Sequence, residues 1–560
     1  MKQNGKISFI HKLILLFAAV FSFFIANPNP VIKDGIFIFG FLIYLPVLFL
    51  VHFSTIKEAW IWGGLYGLFS YGLYAFWLKN FHPLTLYIVC ILYFIILAFV
   101  FLCLRYIEKI FPKYCWLVQF VFLCAYEYLK TTGFCGFSYG VTAYTQWKNI
   151  YLIQICQLVG VFGLNLLVIF PSALLFGFFT NLKKRKSIIF EEKENGKTHI
   201  QNFVKSENSN KDLSFKPFFY SAGVWIFLMV FSYVFGICCV KSEKKYKDYV
   251  TVAAIQNNEN PWKNGINEYT KNIKSLINLS QETLEFYDKI DFIVWPETAV
   301  VPSIMYHYNN EKDERRNKII KYLLEFIEEN DCVFVIGNAH EVKNQMEGNV
   351  ERYNSVFVFE SKNNVIPPEP GIYSKIHLVP FTEYFPYKHK FPKFYKMLLN
   401  GDVNMWEKGD EYTVFTYKNL FFSTPVCFED TFGDDCRKFV KNGARCFMNL
   451  SNDAWSKSEI CQKQHEAMAV FRCVENKIPA VRSTSSGQTC IINENGKIIA
   501  EAPSFCESYV IGKIPVFKDN FKVSIYTKYG DYAGKIEVLF CMILLIIQTI
   551  HVIIMKTRKG

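Results

Sequence analysis

A carboxylate, an amine and a thiol stand at the ends of three apolar segments in the second half of this chain. They are Glu297 in Trp295-Pro296-Glu297-Thr298, Lys375 in Tyr373-Ser374-Lys375-Ile376-His377-Leu378-Val379-Pro380-Phe381, and Cys427 in Pro425-Val426-Cys427-Phe428-Glu429-Asp430. A thiolate is a nucleophile, and an adjacent base can generate it. A carboxylate at the end of a buried strand is costly unless it is paired or functional; in an apolar pocket its pKa rises to suit proton exchange near neutrality. A fixed lysine beside a thiolate lowers the thiol pKa and can bind the oxyanion of a tetrahedral intermediate. Glu383, in Phe381-Thr382-Glu383-Tyr384, is placed to hold that lysine. Read singly, each residue has a plain alternative: a glutamate before a surface loop, a snorkelling lysine, an inert cysteine among 17. Read together, they are a base, an oxyanion clamp and a nucleophile for acyl chemistry.

The elements that must position them alternate. Val250–Ile255, Asp291–Trp295, Cys332–Ile336, Asn354–Phe359, Leu420–Cys427 and Ala444–Leu450 read as short strands rich in β-branched and aromatic residues. Asn267–Tyr287, Lys312–Glu329 and Ile460–Asn476 show helical spacing with charged faces. Alternation of this kind predicts a layered α/β domain over about residues 248–516. Cys427 ends its apolar run at a strand-to-helix turn, where helix amides favour a thiolate.

The rest of the chain is of another kind. At 560 residues it exceeds one ordinary core, and its 51% hydrophobic and 18% aromatic content is high for a soluble protein. The excess lies before about Val240 and after about Ala533. Eight apolar runs are read as membrane spans: Leu13–Ala26, Gly35–Phe53, Ala59–Leu78, Leu84–Leu104, Tyr114–Leu129, Tyr151–Phe179, Phe218–Val240 and Val538–Met555. The first is short and follows Lys2, Lys6 and Lys12, so a signal peptide is its alternative. A membrane domain is thus expected over 1–240, with a flexible, charged cytoplasmic loop over about 181–216, and a last span over 536–556.

Charge supplies an orientation. With a cytoplasmic start, Lys57, Arg105, Lys109, Lys113, Lys183-Lys184-Arg185-Lys186 and the basic tail fall on the inside. The region from about Lys241 to Lys535 then lies outside the cytoplasm. The net charge of +12 is therefore a membrane-topology signal, and nucleic-acid binding is set aside. The cysteines show no CxxC and no Cys/His cluster, so no zinc site, metal site or disulfide scaffold is indicated. Glu127 is the main ionisable residue within a span, and its role is open.

The order Glu, Lys, Cys with these flanks resembles the nitrilase superfamily of carbon–nitrogen hydrolases. Together with the spans, the chain is similar to the apolipoprotein N-acyltransferase family within it. Further segments carry the resemblance: Gly160-Val161-Phe162-Gly163-Leu164-Asn165, Ser451-Asn452-Asp453-Ala454-Trp455 and Arg482-Ser483-Thr484-Ser485-Ser486-Gly487. The resemblance implies an αββα sandwich outside the inner membrane of a bacterium, a phospholipid acyl donor, a diacylglyceryl apolipoprotein acceptor, no cofactor and a monomer. It implies Glu297 as general base, Lys375 as oxyanion stabiliser and Cys427 as nucleophile, with Glu383, Glu429 and the Phe428 backbone amide in support. Trp455 matches an aromatic near the pocket, and His465 and Arg472 match the helix that follows as structural residues. The aromatic and lysine-rich stretch from Tyr384 to Lys396, with Phe385, Phe391 and Phe394, suits a membrane-facing arm. Three departures bear on lipid preference. Thr382, Ser456 and Lys457 replace a glycine, an aromatic and a glycine, and the segment from Gly133 to Ser138 lacks the expected Pro-Trp. The alternative is a membrane-tethered amidase acting on a small amide, for which one span would suffice.

Overall fold

Apolar helices make up one unit of the chain, residues 1–240 with 531–560, and strands alternating with helices make up the other, residues 241–530. The structure is a computed structural model. It describes residues 7–81, 83–133, 136–194, 215–242, 246–343, 350–380, 382–385, 390, 392–393 and 405–557.

In the helical unit, Phe9–Ala26, Leu84–Ile110, Cys156–Lys183, Lys216–Lys241 and Tyr532–His551 are long and apolar enough to cross a membrane. Phe37–His52 and Cys115–Leu129 are shorter apolar stretches. The helix Ile56–Tyr74 runs 19 residues and starts with a capping box, in which Thr55 and Glu58 satisfy each other's backbone amides. Two expected spans are broken. Gly35–Phe53 divides into Phe37–Gly40 and Tyr44–His52. Tyr151–Phe179 divides into Ile150–Ile153 and a helix from Cys156 that is interrupted at Gly160, where φ is 67°. Gly160 has no Cβ to oppose that left-handed backbone. The expected loop also begins later than the sequence reading placed it. The helix continues to Glu194, because Lys, Arg, Glu and Ile are adequate helix formers and no glycine or proline intervenes until Gly196.

Glu127 has partners throughout. Its carboxylate accepts from the Tyr44 hydroxyl, from the Thr142 amide and hydroxyl at 3.0 Å each, and pairs with Lys130 at 3.0 Å. The Lys130 ammonium also donates to the Gly140 carbonyl at 2.8 Å. Glu127 therefore ties the helix Cys115–Leu129 to the helix Tyr44–His52 and to the connection around Thr142.

The α/β unit holds two six-stranded sheets. One contains β1 (Asp248–Gln256), β2 (Phe292–Val294), β3 (Val333–Lys343), β4 (Val350–Glu360), β5 (Gly371–Ser374) and β12 (Ser508–Val516), in the order β12-β1-β2-β3-β4-β5. The other contains β6 (Phe415–Tyr417), β7 (Leu420–Ser423), β8 (Cys446–Ser451), β9 (Ala480–Thr484), β10 (Cys490–Ile492) and β11 (Ile498–Glu501), in the order β11-β10-β9-β8-β7-β6. Both are mixed: β1-β2-β3 and β7-β8-β9 are parallel cores with antiparallel flanks. Strand alternation sends Ala253, Ile255, Ile293, Trp295, Phe334 and Ile336 outward onto the helices Ile266–Phe286 and Glu314–Glu329. The opposite face meets the second sheet, where the Phe292 ring packs edge-on against Phe422 and Tyr417. The result is an αββα sandwich.

The helix Glu459–Asn476 departs from expectation. It is buried throughout, although its sequence reads as a helix with a charged face. Its charges are neutralised inside: Lys463 pairs with Glu466 at 2.9 Å and Glu501 at 2.5 Å, and Arg472 with Glu475 at 3.0 Å.

Removing the Glu127 carboxylate while keeping its lysine should leave a buried cation exposed to an apolar surround. Glu127→Leu is expected to cost about 3 kcal/mol or more, read as thermal unfolding of the full chain in detergent. Glu127→Leu with Lys130→Leu should recover part of that loss.

Candidate active site

The strands deliver the three segments to one place. Glu297 is the third residue beyond β2, and Gly337 of β3 makes room for it. A Cβ at Gly337 would stand 2.8 Å from the Glu297 Cα and 2.3 Å from the Pro296 carbonyl oxygen. Lys375 follows β5 directly, and its amide donates to the Asn354 carbonyl on β4 at 2.8 Å. Cys427 opens a 3-10 turn, Cys427–Thr431, beyond β7. Both turns are strained: Thr298 has φ 48° and Cys427 has φ 52°, a region that non-glycine residues occupy at a cost and mostly where function holds them. The expected strand Leu420–Cys427 thus stops at Ser423, and the thiol sits on a sharp turn after it.

Lys375 is the centre of the cluster. It is 1% exposed, and its ammonium donates to Glu297 Oε1 at 3.1 Å and Glu383 Oε1 at 2.7 Å. Burial works against its charge, but the two carboxylates outweigh burial and hold its pKa well above the usual lysine value. Asn354 Nδ2 donates to Glu297 Oε1 at 2.8 Å, and the Asn452 amide donates to Glu297 Oε2 at 3.1 Å. The remaining Glu383 oxygen accepts from the Val379 amide at 2.7 Å. Every oxygen of both carboxylates is therefore engaged. The Lys375 ammonium also lies 5.8 Å from the Phe428 ring centre.

The Cys427 thiol differs from the expectation of a low pKa. Burial and then Glu297 push it well above the ordinary thiol value, and Lys375 opposes them without winning. A 3-10 turn of five residues supplies too little dipole to reverse this.

Glu429 fastens the turn carrying Cys427 to the loop carrying Lys375. One oxygen accepts the Ile376 and His377 amides at 2.8 and 2.9 Å, the other accepts the Val426 amide at 2.7 Å, and the Tyr373 hydroxyl reaches both. Asn449 Nδ2 adds a bond to the Cys427 carbonyl at 3.0 Å. A second clamp lies behind. His465 Nε2 bonds Asp430 at 2.7 Å, its Nδ1 bonds Asp453 at 2.8 Å, and Arg482 completes the set on Asp430. His465 thereby links the turn carrying Cys427 to the loop carrying Asn452.

Among the other expected residues, Trp455 is half-buried on the turn Ala454–Ser456. Lys457, standing where the resembling family has glycine, holds φ 46°, so the glycine-type backbone persists. Tyr384 is half-buried with the Lys408 ammonium 4.4 Å from its ring centre, and Phe385 is buried at 6% exposure. Phe391 and Phe394 lie outside the described residues. Arg472 is buried and donates to the Thr431 carbonyl at 3.1 Å. Sequence reading missed Asn354 and Asn452 as partners of Glu297: one asparagine in a strand carries no pattern, and the segment Ser451-Asn452-Asp453-Ala454-Trp455 does not reveal what its backbone amide meets.

A thiol, a carboxylate and a buried ammonium gather at the strand ends of an αββα sandwich, and the chain matches families of known proteins. Residues 251–516 match the carbon-nitrogen hydrolase family, and residues 12–174 match the apolipoprotein N-acyltransferase N-terminal domain. Apolipoprotein N-acyltransferase 1 of Treponema denticola is 34% identical over 567 residues, spanning 100% of this chain and 99% of its own. Apolipoprotein N-acyltransferase 1 of Treponema pallidum is 36% identical over 538 residues, covering 95% and 94%. Apolipoprotein N-acyltransferase of Borreliella burgdorferi is 28% identical over 525 residues, covering 90% of each chain. The chain belongs to the apolipoprotein N-acyltransferase family.

His465 generates a pH prediction. Burial lowers its pKa, but Asp430 and Asp453 raise it further, to about 9, against about 6.5 in an unfolded chain. A raised folded-state pKa contributes stability that is complete below about pH 6.5 and is lost as pH rises through about 9. Thermal unfolding between those limits should show a decline of about 3 kcal/mol, and His465→Gln should abolish that component.

Proposed function

We propose that Glu297, Lys375 and Cys427 carry the acyl transfer of this enzyme, moving a fatty acyl chain from a phospholipid to the α-amine of an S-diacylglyceryl cysteine. Membership of the family, along nearly the whole chain, makes it an acyltransferase of lipoprotein maturation. The amidase alternative leaves residues 12–174 without a purpose. The observation that supports the residue roles is the Lys375 ammonium held between Glu297 and Glu383, with the charges of both Glu297 and Lys375 acting on the Cys427 thiol.

The chemistry runs in two halves. Glu297 takes the thiol proton as Cys427 Sγ attacks the ester carbonyl of the donor. The negative oxygen forms between the Lys375 ammonium and the Phe428 amide. The intermediate collapses, the ester C–O bond breaks, and Glu297 returns the proton to the departing lysophospholipid oxygen, leaving a thioester. In the second half the neutral acceptor amine attacks the thioester, Glu297 takes an N–H proton, the C–S bond breaks and the proton passes to the thiolate. A thioester retains enough transfer potential to acylate an amine, which a buried, high-pKa thiol with its own base can form and regenerate. Glu429 and His465 hold the turn and the loops in register; they are positioning residues.

In this reading the eight apolar runs all cross the membrane, and the α/β unit, at about 248–516, lies on the extracytoplasmic side. The charge distribution supports it: the lysine and arginine clusters at 105–113, 183–186 and 556–559 share one side. The enzyme works as a monomer, since one chain supplies the base, the ammonium and the thiol.

Complementation of a strain depleted of its acyltransferase tests the assignment. Wild type is expected to restore N-acylation of lipoproteins, read by mass spectrometry, and Cys427→Ala to abolish it. Full activity of Cys427→Ala would refute the mechanism, and absence of wild-type acylation would refute the activity.

A further inference from the structure

One carboxylate near the site has no part in the mechanism above. Glu259 lies on the loop after β1, and no sequence pattern singles it out. Its Oε1 accepts from Asn452 Nδ2 at 2.9 Å and from the Ser485 hydroxyl at 3.5 Å, and its Oε2 accepts from Asn272 Nδ2 at 3.2 Å. All three donors are neutral. Asn452 is the shared link, for its backbone amide donates to Glu297 Oε2 at 3.1 Å.

Glu259 also lines a cavity of about 650 Å³ within the α/β unit. Thr298 and Asn452, the immediate neighbours of Glu297 in sequence and in hydrogen bonding, are among its lining residues. Its other acids are already neutralised: Asp313 pairs with Arg316 at 2.5 Å, and Glu341 with Arg352 at 3.0 Å. Lys263 on the same wall is exposed and makes no ion pair with Glu259. Among the described residues, Glu259 is the acid of this wall without a cationic partner. Burial raises its carboxyl to about 7 against the neutral side chains of Asn257, Ser485 and Asn452, which lower it, and Glu297 adds a smaller upward push, so the anion lacks a counter-charge that an incoming cation would supply.

The chemistry of the wall selects among ligands. Side-chain amides from Asn260, Asn264 and Asn272 face the cavity together with the tyrosines Tyr269 and Tyr306. A fatty acyl chain needs apolar walls, whereas amides and phenols suit a peptide. The reaction's second substrate is a peptide that begins with an α-amine, a group of pKa about 7.7–8.0 that is mostly ammonium near neutrality.

We propose that Glu259 binds the α-ammonium of the acceptor polypeptide before it gives up one proton to solvent and attacks as the neutral amine, with the peptide that follows lying in this cavity, so that donor and acceptor reach Glu297 from different walls. The proposal rests on the acyl-transfer reading above. Asn452 couples the two carboxylates: its side chain holds Glu259 while its amide holds Glu297.

The two half-reactions separate the claims. Purified full-length wild type and Glu259→Gln are incubated in detergent micelles with phospholipid, and the acyl-thioester on Cys427 is followed by mass spectrometry. A diacylglyceryl peptide acceptor is then added at varied concentration. The Glu259→Gln enzyme is expected to form the thioester, showing that it is folded, and to need about tenfold to a hundredfold more acceptor, the range of a charge-assisted hydrogen bond. Glu259→Asp should recover part of the acceptor affinity. An unchanged acceptor KM, or loss of the thioester itself in Glu259→Gln, overturns the acceptor role. A wild type that forms no thioester removes the acyl-transfer reading first, and the acceptor role with it.

Discussion

The arrangement depends on one buried ammonium. Taking a lysine out of water costs several kcal/mol unless opposite charge and hydrogen bonds replace the water. Lys375 meets that condition with two carboxylates, Glu297 and Glu383, at 3.1 and 2.7 Å. The same condition binds the carboxylates. Neither can lose the lysine without leaving a buried anion beside another; the remaining oxygen of each is taken by the Asn452 or the Val379 amide, and Asn354 adds a second bond to the Glu297 oxygen that faces the lysine. The Glu297 carboxylate is thereby fixed in place, and its charge acts on the Cys427 thiol. The thiol has the opposite problem: burial and the Glu297 carboxylate raise its pKa, and the Lys375 ammonium works against them.

The surrounding fold serves this constraint by bringing strand ends together and locking the loops that leave them. Parallel strands place their C-terminal ends on one edge, and the loops after β2, β5, β7 and β8 gather there. Glu429 and His465 then cross-link those loops with buried, largely charge-assisted bonds. Such bonds leave little freedom for the turn at Cys427, whose left-handed backbone needs external support.

Much of this was legible in the sequence, for reasons that also explain what was not. β1, β2, β3, β4, β7 and β8 are dense apolar runs, and a run of Val, Ile and Phe bounded by polar residues has few other readings. β9, Ala480–Thr484, is buried at every position yet carries Arg and three hydroxyl or small residues, so it offers no apolar signal. β11 and β12 are partly exposed, with polar alternation broken by glycine and proline. The helix Glu459–Asn476 misled in the other direction, because Lys463, His465, Glu466 and Arg472 look solvated until their partners from distant segments are known. The residues that the structure brings together, Glu297, Lys375 and Cys427, each stand at the end of an apolar run and so could be singled out. Asn354, Asn452 and Glu259 were not, since their roles exist only in three dimensions. The positive φ at Cys427 and the interruption at Gly160 are likewise products of packing that residue types alone do not announce.

The most direct test of the central claim removes the ammonium and asks whether the thiol still acylates. Lys375→Met and Lys375→Met with Glu383→Gln would be incubated with phospholipid and the thioester on Cys427 measured by mass spectrometry, with thermal unfolding in parallel. Lys375→Met is expected to lose the thioester and to unfold about 3–5 kcal/mol more easily; the double variant should regain stability while still forming no thioester. Thioester formation at the wild-type rate in either variant would contradict the account.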